Sequence, residues 1–148
     1  MNDTVTIFAL ALASNKSPEQ FIPATFAQIA QWGEVEFSPI YVIPCRDGVG
    51  ADYWNACCLL KSRQQVSALV QQLKQLESDS GRVRPSHQIS LDIDLIAWGS
   101  DLSHMHFNPK KMPLAADVKI PLYDLWALNE FQVEHQFPVV QLTQTIEE

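Results

Sequence analysis

Asp92 and Asp94 are the two residues whose type and spacing point most directly to chemistry. They stand two positions apart in LDIDLIAW, a run apolar enough for an interior strand, so both side chains project from one face, roughly 7 Å apart. Two carboxylates held together there repel each other and lose hydration. A divalent cation removes both penalties, and Mg²⁺ favours carboxylate oxygens when phosphates complete its coordination shell. The spacing predicts a divalent-metal site; the alternative is a solvated strand face with two acids.

The elements that would position this pair follow from the hydrophobic periodicity of the sequence. Apolar and alternating runs predict strands over residues 5–13, 34–43, 53–60 and 91–98, and helical spacing predicts helices over 18–32 and 64–77. This β-α-β-β-α-β order predicts an α+β, ferredoxin-like sandwich, an antiparallel sheet with both helices on one face. We expect the other face of the sheet to be open for a ligand.

Local signals refine these elements. Ser17 is the expected cap of the first helix, with Gln20 completing a capping box. Beyond Gly99 the periodicity weakens, and a polar loop rich in His and Lys runs to Met112. We expect an irregular C-terminal extension there, with a short helix or irregular segment and a further short strand within 132–140.

Composition limits the class of protein. A chain of 148 residues, 47% hydrophobic and 18% charged, predicts a single globular domain over 1–148. A net charge of −7 disfavours generic binding to nucleic-acid phosphates. No apolar run is long enough to cross a bilayer, and the first residues lack the basic region of a signal peptide. We therefore expect a cytoplasmic protein with no nucleic-acid or membrane partner.

The cysteines and the clustered cations carry weaker signals. Cys45, Cys57 and Cys58 lack the Cys-x-x-Cys spacing of a zinc site, and we expect small buried thiols in a reducing compartment. Positive charge lies on both sides of the aspartate pair, at Arg82 and Arg84 before it and at Lys110 and Lys111 after it. These cations make a phosphate ligand feasible.

Four short motifs occur in order along the chain. They are Ala13-Ser14-Asn15 after the first strand, Tyr53-Trp54-Asn55-Ala56 opening the third, Glu77-x-x-x-Gly81-Arg82-x-Arg84 ending the second helix, and Asp92-x-Asp94 followed by three apolar residues and Trp98-Gly99. In order and spacing, from about residue 6 to residue 99, they resemble the 6-hydroxymethyl-7,8-dihydropterin pyrophosphokinases of folate biosynthesis.

The resemblance implies a transferase that moves the pyrophosphoryl group of ATP onto the hydroxymethyl group of a pterin. It also implies Mg²⁺, two ions in this family, as the cofactor, with the pterin and ATP as small-molecule partners. The expected roles are catalytic for Asp92, Asp94 and Arg82, substrate-binding for Asn55, Tyr53 and Ala13, nucleotide-binding for Glu77, Arg82, Arg84 and Lys110, and metal-binding for Asp92 and Asp94.

Taken on their own, these residues leave other roles open. Tyr53 suits the core, and Glu77 with Arg82 suits a surface pair at the end of a helix. Asn15 suits a turn or cap better than a substrate contact. Asn55 stands in an apolar strand and needs hydrogen-bond partners if buried, which favours a ligand role.

The sequence also departs from the family pattern, so the resemblance is to a divergent member. The family's loop containing Trp-Gly-Pro-Arg-Thr is shortened, and Ile89 stands where its arginine is expected. Lys110 stands where a histidine is expected, and the later Arg-x-Phe is missing around Asp117. Ala13 replaces a glycine. The residues that could supply point charges in place of the lost arginines are Lys110, Lys111, Lys119 and His87.

Three functions remain open from the sequence. The first is an active or slow pyrophosphokinase with a remodelled ATP clamp. The second is a non-catalytic relative that binds a pterin, a nucleotide or a protein partner through the same sheet face. The third, independent of descent, is a ferredoxin-like interaction module.

Overall fold

The computed structural model describes residues 4–141, so residues 1–3, which entered the localisation prediction, lie outside it. The strands are β1 (Thr6–Ser14), β2 (Glu34–Phe37), β3 (Tyr41–Ile43), β4 (Tyr53–Ser62), β5 (Asp92–Gly99) and β6 (Met105–Phe107). The helices are α1 (Pro18–Ile29), α2 (Val66–Asp79) and α3 (Ala116–Tyr123), with 3₁₀ turns at Pro109–Lys111 and Asn129–Phe131. Within residues 4–141, no helix has the length and apolar character needed to cross a membrane.

The six strands form one antiparallel sheet in the order β2-β4-β1-β5-β6, with β3 also pairing with β4. One face packs on the two long helices. Alternate residues of β1, namely Phe8, Leu10 and Leu12, are buried there with Ile22 of α1 and Leu69 of α2, because successive strand residues project to opposite faces. The predicted α+β, ferredoxin-like sandwich is confirmed.

The expectation of an open second face is wrong for most of the sheet. The intervening β1 residues Ile7, Ala9 and Ala11 are buried beneath a layer from the C-terminal part of the chain that includes Leu122 and Trp126. A strand that is apolar on both faces needs cover on both. The weakly patterned C-terminal segment supplies the second layer, while Asp92 and Asp94, at one end of the sheet, stay partly exposed.

Three local predictions also need correction. The predicted strand over 34–43 is divided into β2 and β3 at Ser38, whose hydroxyl accepts a hydrogen bond from the Cys57 amide at 2.8 Å. Ser17 precedes α1, but with φ 49° and no side-chain cap; its carbonyl accepts from the Gln20 amide instead. The short strand predicted within 132–140 is a single bridge between Tyr41 and Val139.

Asn15 holds together the loops that border the exposed end of the sheet. Its amide nitrogen donates to the His87 carbonyl at 2.9 Å and to the Ala51 carbonyl at 3.3 Å. Its side-chain oxygen accepts from the Ile89 amide at 2.6 Å. Asn15 thus fastens the shortened loop before β5 to the end of β1, a structural role, as the sequence favoured.

We expect Asn15→Ala to lower the free energy of unfolding by about 2 kcal/mol, because it removes the buried side chain that pairs with partly buried backbone groups of two loops. Urea denaturation followed by circular dichroism measures this. Gln88→Ala, an exposed position in the same loop, is the matched control and should change stability by less than about 0.5 kcal/mol. Equal stability of the two variants would contradict this role for Asn15.

Candidate functional site

The register of β5 places Asp92 and Asp94 on one face of the sheet. Asp92 pairs with Ala13 and Asp94 with Ala11 of β1, while the alternate residues Ile93 and Leu95 are buried on the helix side. β6 pairs only with the last three residues of β5. The half of β5 that carries the aspartates therefore lies at an edge of the sheet, where other side chains can approach.

Glu77, near the end of α2, reaches this edge. The Ile93 amide donates to Glu77 Oε2 at 2.9 Å. One carboxylate oxygen from each of Glu77, Asp92 and Asp94 lies within 4.8 Å of the others, and we call these three residues the acid trio. An all-oxygen donor set suits a hard divalent cation such as Mg²⁺. The sequence assigned Glu77 to the nucleotide and did not associate it with the metal.

Three cationic side chains contact the acid trio, and Arg82 and Lys111 are the two less exposed ones. Arg82 Nη1 lies 3.3 Å from Glu77 Oε2, 3.2 Å from Asp92 Oδ1 and 3.2 Å from the Leu91 carbonyl. Lys111 Nζ lies 2.8 Å from Asp94 Oδ1. The side chains of Arg82 and Glu77 are only 12% and 14% exposed, so they are not a surface pair.

The remaining sequence-predicted cations lie further out. Arg84 Nη2 is 3.4 Å from Glu77 Oε1, and its side chain is largely exposed. Lys110 is exposed and forms no ion pair within the described part of the chain. The contact with Asp94 comes from its neighbour Lys111, which the sequence named among the residues that could replace the lost arginines but assigned no specific role in the site.

Burial dominates the electrostatics of the trio. It raises the pKa of Asp94, and the neighbouring Asp92 raises it further, while Lys111 and Arg82 oppose the shift. Burial also raises the pKa of Glu77, opposed by the hydrogen bond from Ile93. The hydrogen bond to Asp94 raises the pKa of Lys111. Burial thus disfavours the ionised forms of Asp94 and Glu77, and the nearby positive charges favour them.

A cavity of about 270 Å³ adjoins Asp92. Three residues that the sequence assigned to substrate binding, Ala13, Tyr53 and Asn55, line it together with Arg82. Asn55 is only 5% exposed, and its amide nitrogen has no hydrogen-bond partner among residues 4–141. An unpaired buried donor is uncommon in a folded protein, and one beside a cavity is available to an acceptor on a ligand.

Arg46 and Asp117 form an ion pair that sequence reasoning missed. Arg46 Nε and Nη2 donate to the two carboxylate oxygens of Asp117, each at 2.7 Å, and both residues line the cavity. The pair connects the β3–β4 loop to the first turn of α3. The two residues are 71 positions apart, so no local pattern could have paired them.

The cysteine prediction holds for two of three residues. Cys57 and Cys58 are fully buried, and burial raises the pKa of both thiols. Cys45 is half-buried and lines the cavity. A larger cavity of about 1000 Å³ lies near Trp32 and Lys61. It shares no residue with the acid trio, so the smaller cavity, with Asp92 in its wall, is the better candidate site.

Comparison with known protein families agrees with this geometry. The family model described as 7,8-dihydro-6-hydroxymethylpterin-pyrophosphokinase (HPPK) matches residues 9–135. The matched range includes the acid trio, the cavity and Lys111. A comparison with curated proteins finds no match.

Proposed function

The chain belongs to the 7,8-dihydro-6-hydroxymethylpterin-pyrophosphokinase family, and from this we propose that it transfers the pyrophosphoryl group of ATP to a 6-hydroxymethyl-7,8-dihydropterin. The substrate hydroxyl oxygen bonds to the β-phosphorus, the bond from that phosphorus to the α,β-bridging oxygen breaks, and AMP leaves; the hydroxyl proton is released. The observation that carries the proposal is the acid trio adjoining a cavity that contains an unpaired buried amide.

The acid trio fits Mg²⁺. Its three carboxylates offer oxygen ligands within 4.8 Å of one another on a partly buried edge, and Asp92 and Asp94 would be the ligands. Held by these carboxylates, Mg²⁺ would supply the positive charge that offsets the negative charge developing on the phosphates during transfer. The number of ions, two by resemblance, stays a prediction.

The cavity suits the pterin ring. Asn55 offers its unpaired amide nitrogen to a ring acceptor, and Tyr53 and Ala13 line the same space. Because Asp92 also lines the cavity, a ring bound beside Asn55 would lie next to the acid trio. Phosphoryl-type transfer needs no protein nucleophile, so holding the two substrates in position supplies a large share of the rate acceleration.

The residues on the nucleotide side of the site favour slow catalysis. Arg82 is engaged with the acids, and Arg84 and Lys111 remain as further cations for phosphates. Ile89 lines the cavity at the position where the family pattern has an arginine. Each bidentate arginine lost from a phosphate removes transition-state stabilisation. This same observation favours the second candidate function, a non-catalytic pterin or nucleotide binder.

An assay of AMP formation separates these two functions. Purified protein is incubated with Mg²⁺, ATP and 6-hydroxymethyl-7,8-dihydropterin. AMP that requires all three supports the pyrophosphokinase. Pterin binding by calorimetry without AMP supports the non-catalytic binder, and absence of both binding and turnover rejects both.

We expect Asn55→Ala to weaken pterin binding about 30-fold, because it removes a buried donor that the ring acceptor would pair. Isothermal titration calorimetry measures the dissociation constant. Trp54→Phe, next in sequence and packed on the helix side, is the control and should bind normally. Unchanged affinity in Asn55→Ala would remove Asn55 from the substrate site.

A further inference from the structure

The Lys111 ammonium group lies 2.8 Å from Asp94 Oδ1, so a metal ion bound by the acid trio would compete with it for that carboxylate. We propose that its ammonium group is an internal counter-ion that leaves Asp94 when a divalent cation binds and then pairs with the ATP phosphates. Lys111 would thereby couple metal binding to nucleotide binding. This inference rests on the proposed function and adds a positioning residue that the family pattern does not supply.

The backbone fixes Lys111, and not Lys110, at the acid. Asn108 donates from its backbone amide to the Ile96 carbonyl at 2.8 Å and from its side chain to the Leu95 carbonyl at 2.9 Å. Its side-chain oxygen also accepts from the Lys110 amide at 3.1 Å, capping the 3₁₀ turn. The turn is thus fastened to β5 immediately beyond Asp94.

Arg82 and Lys111, the two cations that contact the aspartates, differ in their freedom to move. Arg82 is 12% exposed, contacts both Glu77 and Asp92, and donates to the Leu91 carbonyl, so its displacement would leave several buried groups unpaired. Lys111 is 37% exposed and contacts only Asp94 among the trio. Its flexible four-carbon stem lets the ammonium swing towards solvent. Lys111 is therefore the cation that yields to a metal.

The charges at the acid trio determine how metal binding and nucleotide binding affect each other. The ionised trio carries three negative charges and contacts three cations, which are Arg82, Lys111 and the largely exposed Arg84. A divalent cation added beside an unmoved Lys111 meets repulsion within a partly buried site. Metal alone should therefore bind weakly, whereas a bound triphosphate accepts the displaced ammonium and favours the metal. This is a positive coupling free energy between two ligands.

The test measures binding, not turnover. Mn²⁺ is the probe, titrated by the loss of its free-ion electron paramagnetic resonance signal, with and without an ATP analogue that carries a methylene group between the α- and β-phosphorus. In the unaltered protein we expect the analogue to tighten Mn²⁺ binding about tenfold or more. Lys111→Met should bind Mn²⁺ alone about tenfold tighter than the unaltered protein. The gain from the analogue should then be at least about threefold smaller than in the unaltered protein, because only direct coordination by the phosphates remains. Mn²⁺ bound by the free analogue is subtracted with a titration that contains no protein.

Three further variants complete the experiment. Lys61→Met, at a half-exposed lysine of β4 beside the larger cavity, should behave like the unaltered protein, and Lys111→Arg should keep the coupling because it keeps the charge. Lys111→Gln is a second neutral variant with the expectation given for Lys111→Met. Coupling that is unchanged in both neutral variants overturns the inference and leaves the proposed function intact. Absence of Mn²⁺ binding in every protein, with and without the analogue, overturns the proposed function as well.

Discussion

Asp94→Asn should reduce pterin-dependent AMP formation at least about a thousandfold. The substitution keeps the shape of the side chain but removes one anionic ligand from the acid trio, and metal-held charge neutralisation is the main catalytic device available to a site without a nucleophile. Steady-state rates at saturating ATP and Mg²⁺ measure the effect. Asp101→Asn, which alters an exposed aspartate just beyond β5, is the control and should keep the rate.

The free energy of unfolding of Asp94→Asn shows whether the loss of AMP formation comes from the missing ligand or from misfolding. Burial already raises the pKa of Asp94, so its charge is a cost to the folded state that Lys111 offsets. Removing the charge should leave the free energy of unfolding nearly unchanged. An Asp94→Asn variant that is folded and turns over at the rate of the unaltered protein would contradict the assigned role of Asp94.

Arg82→Met should lower the free energy of unfolding by about 3 kcal/mol, since it leaves Glu77 and Asp92 without a shared cation in a largely buried position. Urea denaturation at pH 7 measures the loss. Arg84→Met is the matched control, because the Arg84 side chain is 65% exposed and its ion pair should contribute less than about 1 kcal/mol. Equal losses in the two variants would contradict the structural role of Arg82.

The pH dependence of this loss has a definite sign. Burial raises the pKa of Glu77 above its ordinary value, and removal of Arg82 should raise it further. An acid whose folded-state pKa is raised destabilises the fold as pH rises through the unfolded-state value. The deficit of Arg82→Met should therefore shrink as pH falls from 7 towards 5. A deficit that grows over this range would mean that Glu77 is not the group left unpaired.

The sequence could predict what depends on local periodicity. The period of two along a strand predicted that Asp92 and Asp94 share one face of the sheet. The resemblance of the motif ending α2 to the family pattern predicted that Glu77 and Arg82 belong to the same site. The apolar character of both faces of β1 also carried a signal that the second face is covered. The segment that covers it was not recognisable, because α3 is short and contains Pro121, which leaves no clear helical pattern.

Contacts between distant or irregular segments could not be predicted. Arg46 and Asp117 meet only because the β3–β4 loop lies against the start of α3. Lys110 was assigned to nucleotide binding because it stands where the family pattern has a histidine. In the structure, the capped 3₁₀ turn directs its neighbour Lys111 to Asp94. Such a turn has no sequence period that would show which of two adjacent lysines points inward.

A single-turnover reaction with ATP carrying ³²P at the γ-position tests the central claim most directly. With enzyme in excess over 6-hydroxymethyl-7,8-dihydropterin and with Mg²⁺ present, the label should appear on the pterin, with one unlabelled AMP released for each labelled pterin. Label recovered only in ATP or inorganic phosphate, or ADP as the nucleotide product, would contradict pyrophosphoryl transfer by this protein.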